Sequence, residues 1–282
     1  MCITNINEIE WNELWMDAKQ NSTSFKRQKN HAKLWHDKDR ARRYDERVKE
    51  NNRARARETI DKLDISPDST VLDIGAGPGT LTIPLAKRVK KVTAVDPSPA
   101  MIECLKENME EGGLSNIECI NKKWEEVDTG EIETHDIVIA SFSLSMLDIG
   151  DALKKMDSLA KKYVYLFWFA GETAWEKTYS DLWPRIHNET YIPGPKCNYL
   201  YNILYQMRVY ANIEVIDTEH NQKFHSLDEA VDNLKTNLSI ETPEQEEILR
   251  GYLSKKLVKE NGEFISKGKS TYVMIWWRKD GK

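Results

Sequence analysis

The feature that most constrains this chain is an apolar run that ends at a carboxylate and then breaks into a glycine-rich turn. It reads Val71-Leu72-Asp73-Ile74-Gly75-Ala76-Gly77-Pro78-Gly79-Thr80. A short continuous apolar run bounded by glycine is typical of a strand that is buried on both faces. Glycines at alternate positions permit backbone conformations that other residues avoid. The pattern therefore predicts a buried parallel strand that passes through a tight loop into a helix.

The chain on either side of this run alternates between strand and helix patterns. Strands are predicted at 70–74, 91–95, 117–120, 136–141 and 163–169, with helices at 79–90, 99–111 and 151–161. Two further strands are predicted at 212–217 and 271–277, and capping boxes at 226–229 and 242–245 begin two helices. Such alternation predicts a doubly wound parallel sheet with right-handed crossovers. The carboxyl end of the first strand then faces a crevice where ligands bind.

Composition narrows the class of protein. The chain has 282 residues, of which 40% are hydrophobic, enough for one large domain with an added lobe. Because there is no apolar run of membrane-spanning length and no signal peptide, we expect a cytoplasmic protein that does not contact a membrane. No Cys-x-x-Cys spacing occurs, which predicts reduced thiols and no metal site. The cysteines are Cys2, Cys104, Cys119 and Cys197.

Charge is distributed unevenly along the chain. The net charge is −5, but residues 26–57 contain 13 Lys or Arg and 5 Asp or Glu, a local balance of +8. A basic segment on an acidic body could bind an anionic partner such as RNA. It could equally form a solvated helix whose charges are compensated by acidic neighbours, which is the interpretation we favour.

The glycine-rich turn suits ligands that approach the backbone closely. Its exposed amides and the positive end of the following helix are used by two ligand classes, dinucleotides and S-adenosylmethionine. The dinucleotide fingerprint requires a third glycine where this chain has Thr80. Asp73 would repel a pyrophosphate but attract an ammonium group. Asp96, at the end of the second strand, can accept hydrogen bonds from ribose hydroxyls, so the pattern favours S-adenosylmethionine.

Three segments resemble class I S-adenosylmethionine-dependent methyltransferases. Residues 71–80 resemble the family's first motif, Asp-x-Gly-x-Gly-x-Gly. Residues 94–101 are similar to its second segment, in which an acid holds the ribose and a following apolar residue lies on the adenine. Residues 135–141 resemble the fourth strand, whose end backs the methionine moiety. The resemblance covers about residues 60–170 and implies a Rossmann-like seven-stranded α/β sheet whose last strand is antiparallel.

The resemblance also implies S-adenosyl-L-methionine as cofactor and a set of residues that bind it. In many members an acid after the third strand binds adenine, but this chain has Lys123 there, so we expect its backbone and stacking on Trp124 to replace that contact. A helix that precedes the core is expected to bring Tyr44 to the methionine carboxylate. No catalytic base and no metal is predicted. The expected binding residues are Tyr44, Asp73, Gly75, Ala76, Gly77, Gly79, Thr80, Asp96, Pro97, Met101, Lys123, Trp124 and Ser141.

We expect four parts along the chain: an N-terminal helical cap at 1–63, the cofactor-binding core at 64–171, a substrate lobe or lid at 172–212, and strands and helices at 213–282 that complete the sheet. Aromatic residues between 168 and 205 are expected to form the lobe's core, although an aromatic cage for a cationic amine is an alternative. His187 is interpreted as structural, or alternatively as a general base.

The expected activity is methyl transfer to a nucleophilic acceptor, which we take to be a small molecule. The alternative acceptor is RNA or protein, bound through the basic segment 26–57. A scaffold that binds the cofactor without turnover is a third possibility.

Overall fold

The computed structural model describes residues 8–27, 35–50, 54–219 and 221–279. The helices are α1 Trp11–Asn21, α2 Thr23–Arg27, α3 Lys38–Glu50, α4 Ala54–Ile60, α5 Thr82–Ala86, α6 Pro99–Glu111, α7 Ile149–Leu159, α8 Ala174–His187, α9 Cys197–Gln206, α10 Leu227–Lys235 and α11 Pro243–Lys256. The strands are β1 Thr70–Ile74, β2 Lys91–Val95, β3 Ile117–Ile120, β4 His135–Ser141, β5 Ala160–Phe169, β6 Asn212–Glu219, β7 Gln222–Phe224, β8 Val258–Glu260, β9 Glu263–Ser266 and β10 Lys269–Arg278. Within these residues, no helix is long and apolar enough to cross a bilayer.

Seven strands form one sheet in the order β3-β2-β1-β4-β5-β10-β6. Strands β1 to β5 are parallel, and β10 is antiparallel to both β5 and β6. The predicted doubly wound α/β sheet with an antiparallel last strand is confirmed. Strand order reverses between β1 and β4, so the crevice lies at the carboxyl ends of these two strands.

Strand and helix bounds follow the sequence patterns closely in the core, with one clear exception. The first three strands and α6 have the predicted limits, whereas the helix predicted at 79–90 is reduced to α5. Its start is delayed because three glycines with positive φ keep the chain in turns up to Thr80. Its end is a tight turn, in which the Arg88 amide donates to the Leu85 carbonyl at 2.8 Å.

The sheet is covered on both faces, as the continuous apolar runs of its central strands predict. Helices α4, α5 and α6 pack on one face, and α1, α7 and α9 pack on the other. A third apolar core joins α8, α10 and α11 to a small antiparallel sheet ordered β7-β9-β8. Helix α10 begins after Ser226 and α11 after a full capping box at Thr242, as predicted. The small sheet was not predicted, and it occupies much of the region expected simply to complete the main sheet.

The N-terminal helices pack in two different places. Helix α1 lies against α7 and α9, with Trp15 fully buried and its Nε1 donating to the Met146 carbonyl at 3.0 Å. Helix α3 lies along α6 through three contacts that we call the ion-pair ladder: Lys38 with Glu103 at 2.7 Å, Arg42 with Glu107 at 3.5 Å, and Lys49 with Glu111 at 2.9 Å. These side chains are largely exposed, so each pair contributes at most about 1 kcal/mol. The ladder supports the interpretation that acidic neighbours compensate the basic segment, of which residues 28–34 and 51–53 lie outside the described part.

A buried amide ties α3 and α6 to the glycine-rich loop. Asn108 Nδ2 donates to Asp45 Oδ1 and to the Pro78 carbonyl, each at 2.8 Å. Both bonds are buried, so their loss is not fully compensated by water. This one side chain on α6 therefore links α3 to the glycine-rich loop.

We expect Asn108→Ala to lower the free energy of unfolding by about 1–3 kcal/mol, because it removes the donor of two buried hydrogen bonds. The matched control is Asn202→Ala on α9, whose amide donates to the Asn198 carbonyl at the surface. The control should change stability by less than about 0.5 kcal/mol. Urea denaturation measures both, and equal effects would show that the Asn108 bridge does not stabilise the fold.

Candidate active site

The loop after β1 is fastened to the end of β2 by its backbone. Gly75 and Ala76 donate to the Val95 carbonyl at 2.8 and 3.1 Å. Gly75, Gly77 and Gly79 have φ of 75°, 56° and 85°, a region that side chains with a Cβ rarely adopt. Local sequence therefore dictates the path of the loop, since glycine alone enters these conformations without strain.

The three glycines differ in what surrounds them. A Cβ at Gly75 would lie 2.2 Å from the Cβ of Ser143, and one at Gly79 would lie 2.6 Å from Leu105 Cδ1. A Cβ at Gly77 would meet nothing within 4 Å. Gly75 and Gly79 are thus required for packing, whereas Gly77 faces open space where a ligand can approach the backbone.

Asp96 lies directly over this loop. Its Oδ2 accepts from the Gly77 amide and its Oδ1 from the Ser98 amide, both at 2.8 Å. Burial raises the pKa of this carboxyl, while the two amides and the nearby His36 act in the opposite direction. The structure therefore brings two predicted site residues, Asp96 and Gly77, into direct contact.

Asp73 has a different environment from the one expected. The carboxyl is only 1% exposed, and its Oδ2 accepts from the Thr82 hydroxyl at 2.6 Å. Burial raises its pKa to about 6, the charge of Asp96 adds to the shift, and bonds from Thr82 oppose it. Asp73 thus anchors the start of α5 from within the core, because Thr82 offers a hydroxyl at close range.

Other predicted residues border the same loop. Thr80 Oγ1 is buried and lacks a hydrogen-bond partner within the described part of the chain. Ala76, four residues before Thr80, is also buried, and Ser141 is the last residue of β4. Ser143, which was not predicted, donates its hydroxyl to the Ile74 carbonyl at 2.6 Å and so joins the two strand ends.

The segment before α3 covers the side of the crevice next to Asp96. The Trp35 carbonyl accepts from the Ser98 hydroxyl at 2.5 Å, and the Trp35 ring meets Tyr44 edge-on at 5.3 Å. Both rings pack against a small cluster that contains the buried Met101 at the start of α6. Pro97, half-buried, precedes this helix. Tyr44 and Met101 therefore lie together, and Trp35 is a neighbour that the predicted set lacked.

The loop after β3 differs from expectation at its tryptophan. Trp124 is 3% exposed, and its Nε1 donates to the Ala152 carbonyl at 3.2 Å within the core beside α7. A ring enclosed in this way cannot stack on adenine, so the predicted stacking does not fit the structure. Lys123 is exposed and its ammonium lies 3.2 Å from Glu126. Asn121, which was not predicted, donates to the Asp96 carbonyl at 2.9 Å and ties this loop to the crevice.

Aromatic residues line the carboxyl end of β5. Phe169 lies 5.1 Å from Phe142 and 5.2 Å from Trp175, measured between ring centroids. Phe142 has a φ of 55°, a strained value for a bulky residue that is often found at functional sites. The Lys196 ammonium lies 5.6 Å from the centre of the Phe169 ring and within 2.6 Å of both carboxylate oxygens of Glu176.

The expected aromatic core of the lobe forms only in part. Trp168, Tyr199 and Tyr201 pack against the main sheet and Tyr205 is exposed, whereas Tyr179, Trp183 and Tyr191 pack in the lobe core. Leu182, Trp183 and Tyr191 are buried there, and Trp183 lies 5.9 Å from Tyr191. His187 Nε2 donates to the Leu238 carbonyl at 2.8 Å, and its ring lies 4.3 Å from Trp183. These contacts give His187 a structural role.

Comparison with known proteins agrees with this geometry. A family model described as a methyltransferase domain matches residues 71–162. An uncharacterized protein of Haemophilus influenzae is 30% identical over 224 residues, which cover 78% of this chain and 80% of that protein. The 23S rRNA (uracil(1939)-C(5))-methyltransferase RlmD of Alcanivorax borkumensis is 49% identical, but over 69 residues that cover 24% of this chain and 16% of that protein.

Solved structures show the same fold at low identity. A protein of Bacillus halodurans assigned as a methyltransferase superposes with a TM-score of 0.55 at 16% identity, covering 79% of this chain and 98% of that chain. The YcgJ protein of Bacillus subtilis superposes with a TM-score of 0.53 at 15% identity, covering 79% of this chain and 97% of that chain. With the glycine-rich loop, the acid at the end of β2 and the antiparallel last strand, the chain belongs to the class I S-adenosylmethionine-dependent methyltransferase family.

Proposed function

We propose that this enzyme transfers a methyl group from S-adenosylmethionine to a nucleophilic atom of a small-molecule acceptor. The observation that carries this proposal is that the N-terminal segment contacts both the core and the C-terminal lobe next to Asp96. The Trp35 carbonyl accepts from the Ser98 hydroxyl, and Arg40 Nη2 donates to Asn237 Oδ1 at 3.1 Å. A space bounded by the cap and the lobe suits a small acceptor better than a polymer.

The residues of the loop fit the adenosyl donor. Open space at Gly77 and the Thr80 hydroxyl, which has no partner among the described residues, are suited to the amino-acid end. Asp96 is suited to the ribose hydroxyls. We assign Met101, Pro97 and the Lys123 backbone to the border of the base. Tyr44 was expected at the methionine carboxylate, but because it packs in one cluster with Met101 we assign it to the border of the base as well. The sulfonium supplies an electrophilic methyl group, so the chain contributes alignment and exclusion of water.

RNA or protein is the second candidate acceptor, to be bound through the basic segment 26–57. The ion-pair ladder speaks against it, because its cations already face the acids of α6. The rRNA methyltransferase of Alcanivorax borkumensis matches less than a quarter of this chain, so its RNA acceptor is no evidence for the acceptor of this enzyme.

Methyl-labelled S-adenosylmethionine separates these candidates. Cell extract is divided into ultrafiltered small molecules, RNA and protein, and each fraction is incubated with the enzyme. We expect label in the small-molecule fraction, and none with Asp96→Ala, which removes the proposed ribose acceptor. Transfer confined to RNA or to protein would overturn the proposal of a small acceptor.

Two glycine variants test the assignment of the loop. Gly77→Ala should lower stability by about 1–2 kcal/mol, the cost of a left-handed residue, yet lose most of the binding of S-adenosylhomocysteine. Gly79→Ala adds close contacts with Leu105 and Ile83, so it should cost roughly 2–5 kcal/mol. Urea denaturation with and without the ligand measures both, since ligand at 100 times its Kd stabilises the wild type by about 2.7 kcal/mol. If S-adenosylhomocysteine stabilised Gly77→Ala as much as the wild type, the assignment of Gly77 to the cofactor site would be wrong.

Cofactor affinity should depend on pH through Asp73. We propose that its buried charge attracts the ligand ammonium across the loop, which requires the ionised carboxylate. Because burial raises the pKa of Asp73 to about 6, affinity for S-adenosylhomocysteine should be full above that pH and fall up to about tenfold per unit below it. Asp73→Asn keeps an acceptor for Thr82 and should bind more weakly with a flatter profile. Calorimetric profiles of the same shape for both proteins would show that Asp73 has no such effect.

A further inference from the structure

Arg40 on α3 differs from the neighbouring cations of its helix. Lys38, Arg42 and Lys49 each face a carboxylate of α6 in the ion-pair ladder. Arg40 points away from α6 and is half-buried, and no described carboxylate lies within ion-pair distance of its guanidinium. Burial lowers the pKa of this group, which shows that the environment disfavours its charge.

The groups that contact the Arg40 guanidinium directly are neutral. Asp37, whose carboxylate accepts from the Arg40 backbone amide, acts on its charge from outside ion-pair distance, as do Arg43 and Arg47. The guanidinium carbon lies 4.9 Å from the centre of the Trp35 ring, and one nitrogen donates to Asn237 Oδ1. Tyr179 lies on the same side, with its hydroxyl bonded to Asn237 and its pKa raised by burial. One of five N–H donors is thus matched to an amide oxygen, while a desolvated guanidinium favours the two oxygens of a carboxylate.

Arg40 also lies beside residues that border the proposed site of the donor. Through Trp35 it borders Ser98 and the acid at the end of β2, where the ribose is proposed to bind. Through Tyr179 it borders α8, which also carries Glu176. The other cation of this region, Lys196, is already neutralised by Glu176. Unlike Lys196, Arg40 has no described carboxylate within ion-pair distance, so its guanidinium is open to an anionic ligand.

We propose that Arg40 recognises a carboxylate on the acceptor, and that the acceptor carries this group beside an apolar body. The inference rests on the proposed methyl transfer to a small molecule. Trp35 and the aromatic residues at the end of β5 provide the apolar surface, and Asn237 holds the guanidinium in place. Arg40 would then be a specificity residue that contacts the substrate at a distance from the reacting atom.

The test uses the complex with S-adenosylhomocysteine and three carboxylate probes, namely benzoate, phenylacetate and hexanoate, each compared with its neutral amide by calorimetry. We expect at least one carboxylate to bind wild type about tenfold or more tightly than its amide, as a charge-assisted hydrogen bond requires. Arg40→Gln should lose that difference. Arg40→Lys, which keeps the charge but not the planar fork, should retain part of it and provides a second variant if Arg40→Gln does not fold.

Arg42→Gln is the matched control. Arg42 lies two residues from Arg40 and forms an exposed ion pair with Glu107, so the substitution removes the same charge outside the proposed site. It should bind the probes as wild type does. The inference is overturned if no carboxylate is preferred over its amide, or if Arg40→Gln retains the preference. It is also overturned if Arg40→Gln weakens S-adenosylhomocysteine tenfold but not methylthioadenosine, because the bound carboxylate would then be the cofactor's own. Failure of wild type to bind S-adenosylhomocysteine would instead refute the proposed function.

Discussion

Three consecutive amides of the loop after β1 are bonded to two consecutive residues at the end of β2. The Val95 carbonyl accepts from Gly75 and Ala76, and the Asp96 carboxylate accepts from Gly77. Because the two strands are in fixed parallel register, these bonds set the loop and the acid relative to each other. The protein's own hydrogen bonds thus hold the groups proposed to bind the donor, which limits the entropy that binding must cost.

Charged side chains are paired differently at the surface and in the interior of the protein. The ion-pair ladder consists of exposed pairs that add little stability individually, although their regular spacing directs how α3 lies on α6. Inside, Glu176 and Lys196 neutralise each other, and Glu176 also accepts from the amide and hydroxyl of Thr173. Arg40 follows neither pattern, since it is half-buried and has no ion-pair partner among the described residues. A partly desolvated cation of this kind gains most from an anionic ligand.

Sequence patterns identified the parts of this protein whose structure is determined locally. The limits of β1, β2, β3 and α6 follow from apolar runs bounded by glycine or by caps, and the loop follows from the conformations that only glycine adopts. The position of Asp96 was also predictable, since it follows from the end of a strand.

Non-local contacts account for what the sequence did not predict. Trp124 begins a short 3-10 turn and packs in the core beside α7. The buried Asp73 carboxyl accepts from the hydroxyl of Thr82, nine residues away. The small sheet consists of strands of three or four residues, too short for a periodic signal. Arg40 looks like any other basic residue of its segment until α8 and the turn after α10 are placed beside it.

The strand order has a consequence for how the chain assembles during synthesis. In the main sheet β6 is bonded to β10 and to no other described strand, and β10 occupies the place between β5 and β6. A ribosome-bound chain that has reached residue 219 therefore has a strand without a place in the sheet and an open edge at β5. The parallel half, with its loop and acid, can form much earlier, because its strands end at residue 169. Only when residues 269–278 have been added can the edge of β5 be closed and β6 be joined to the sheet.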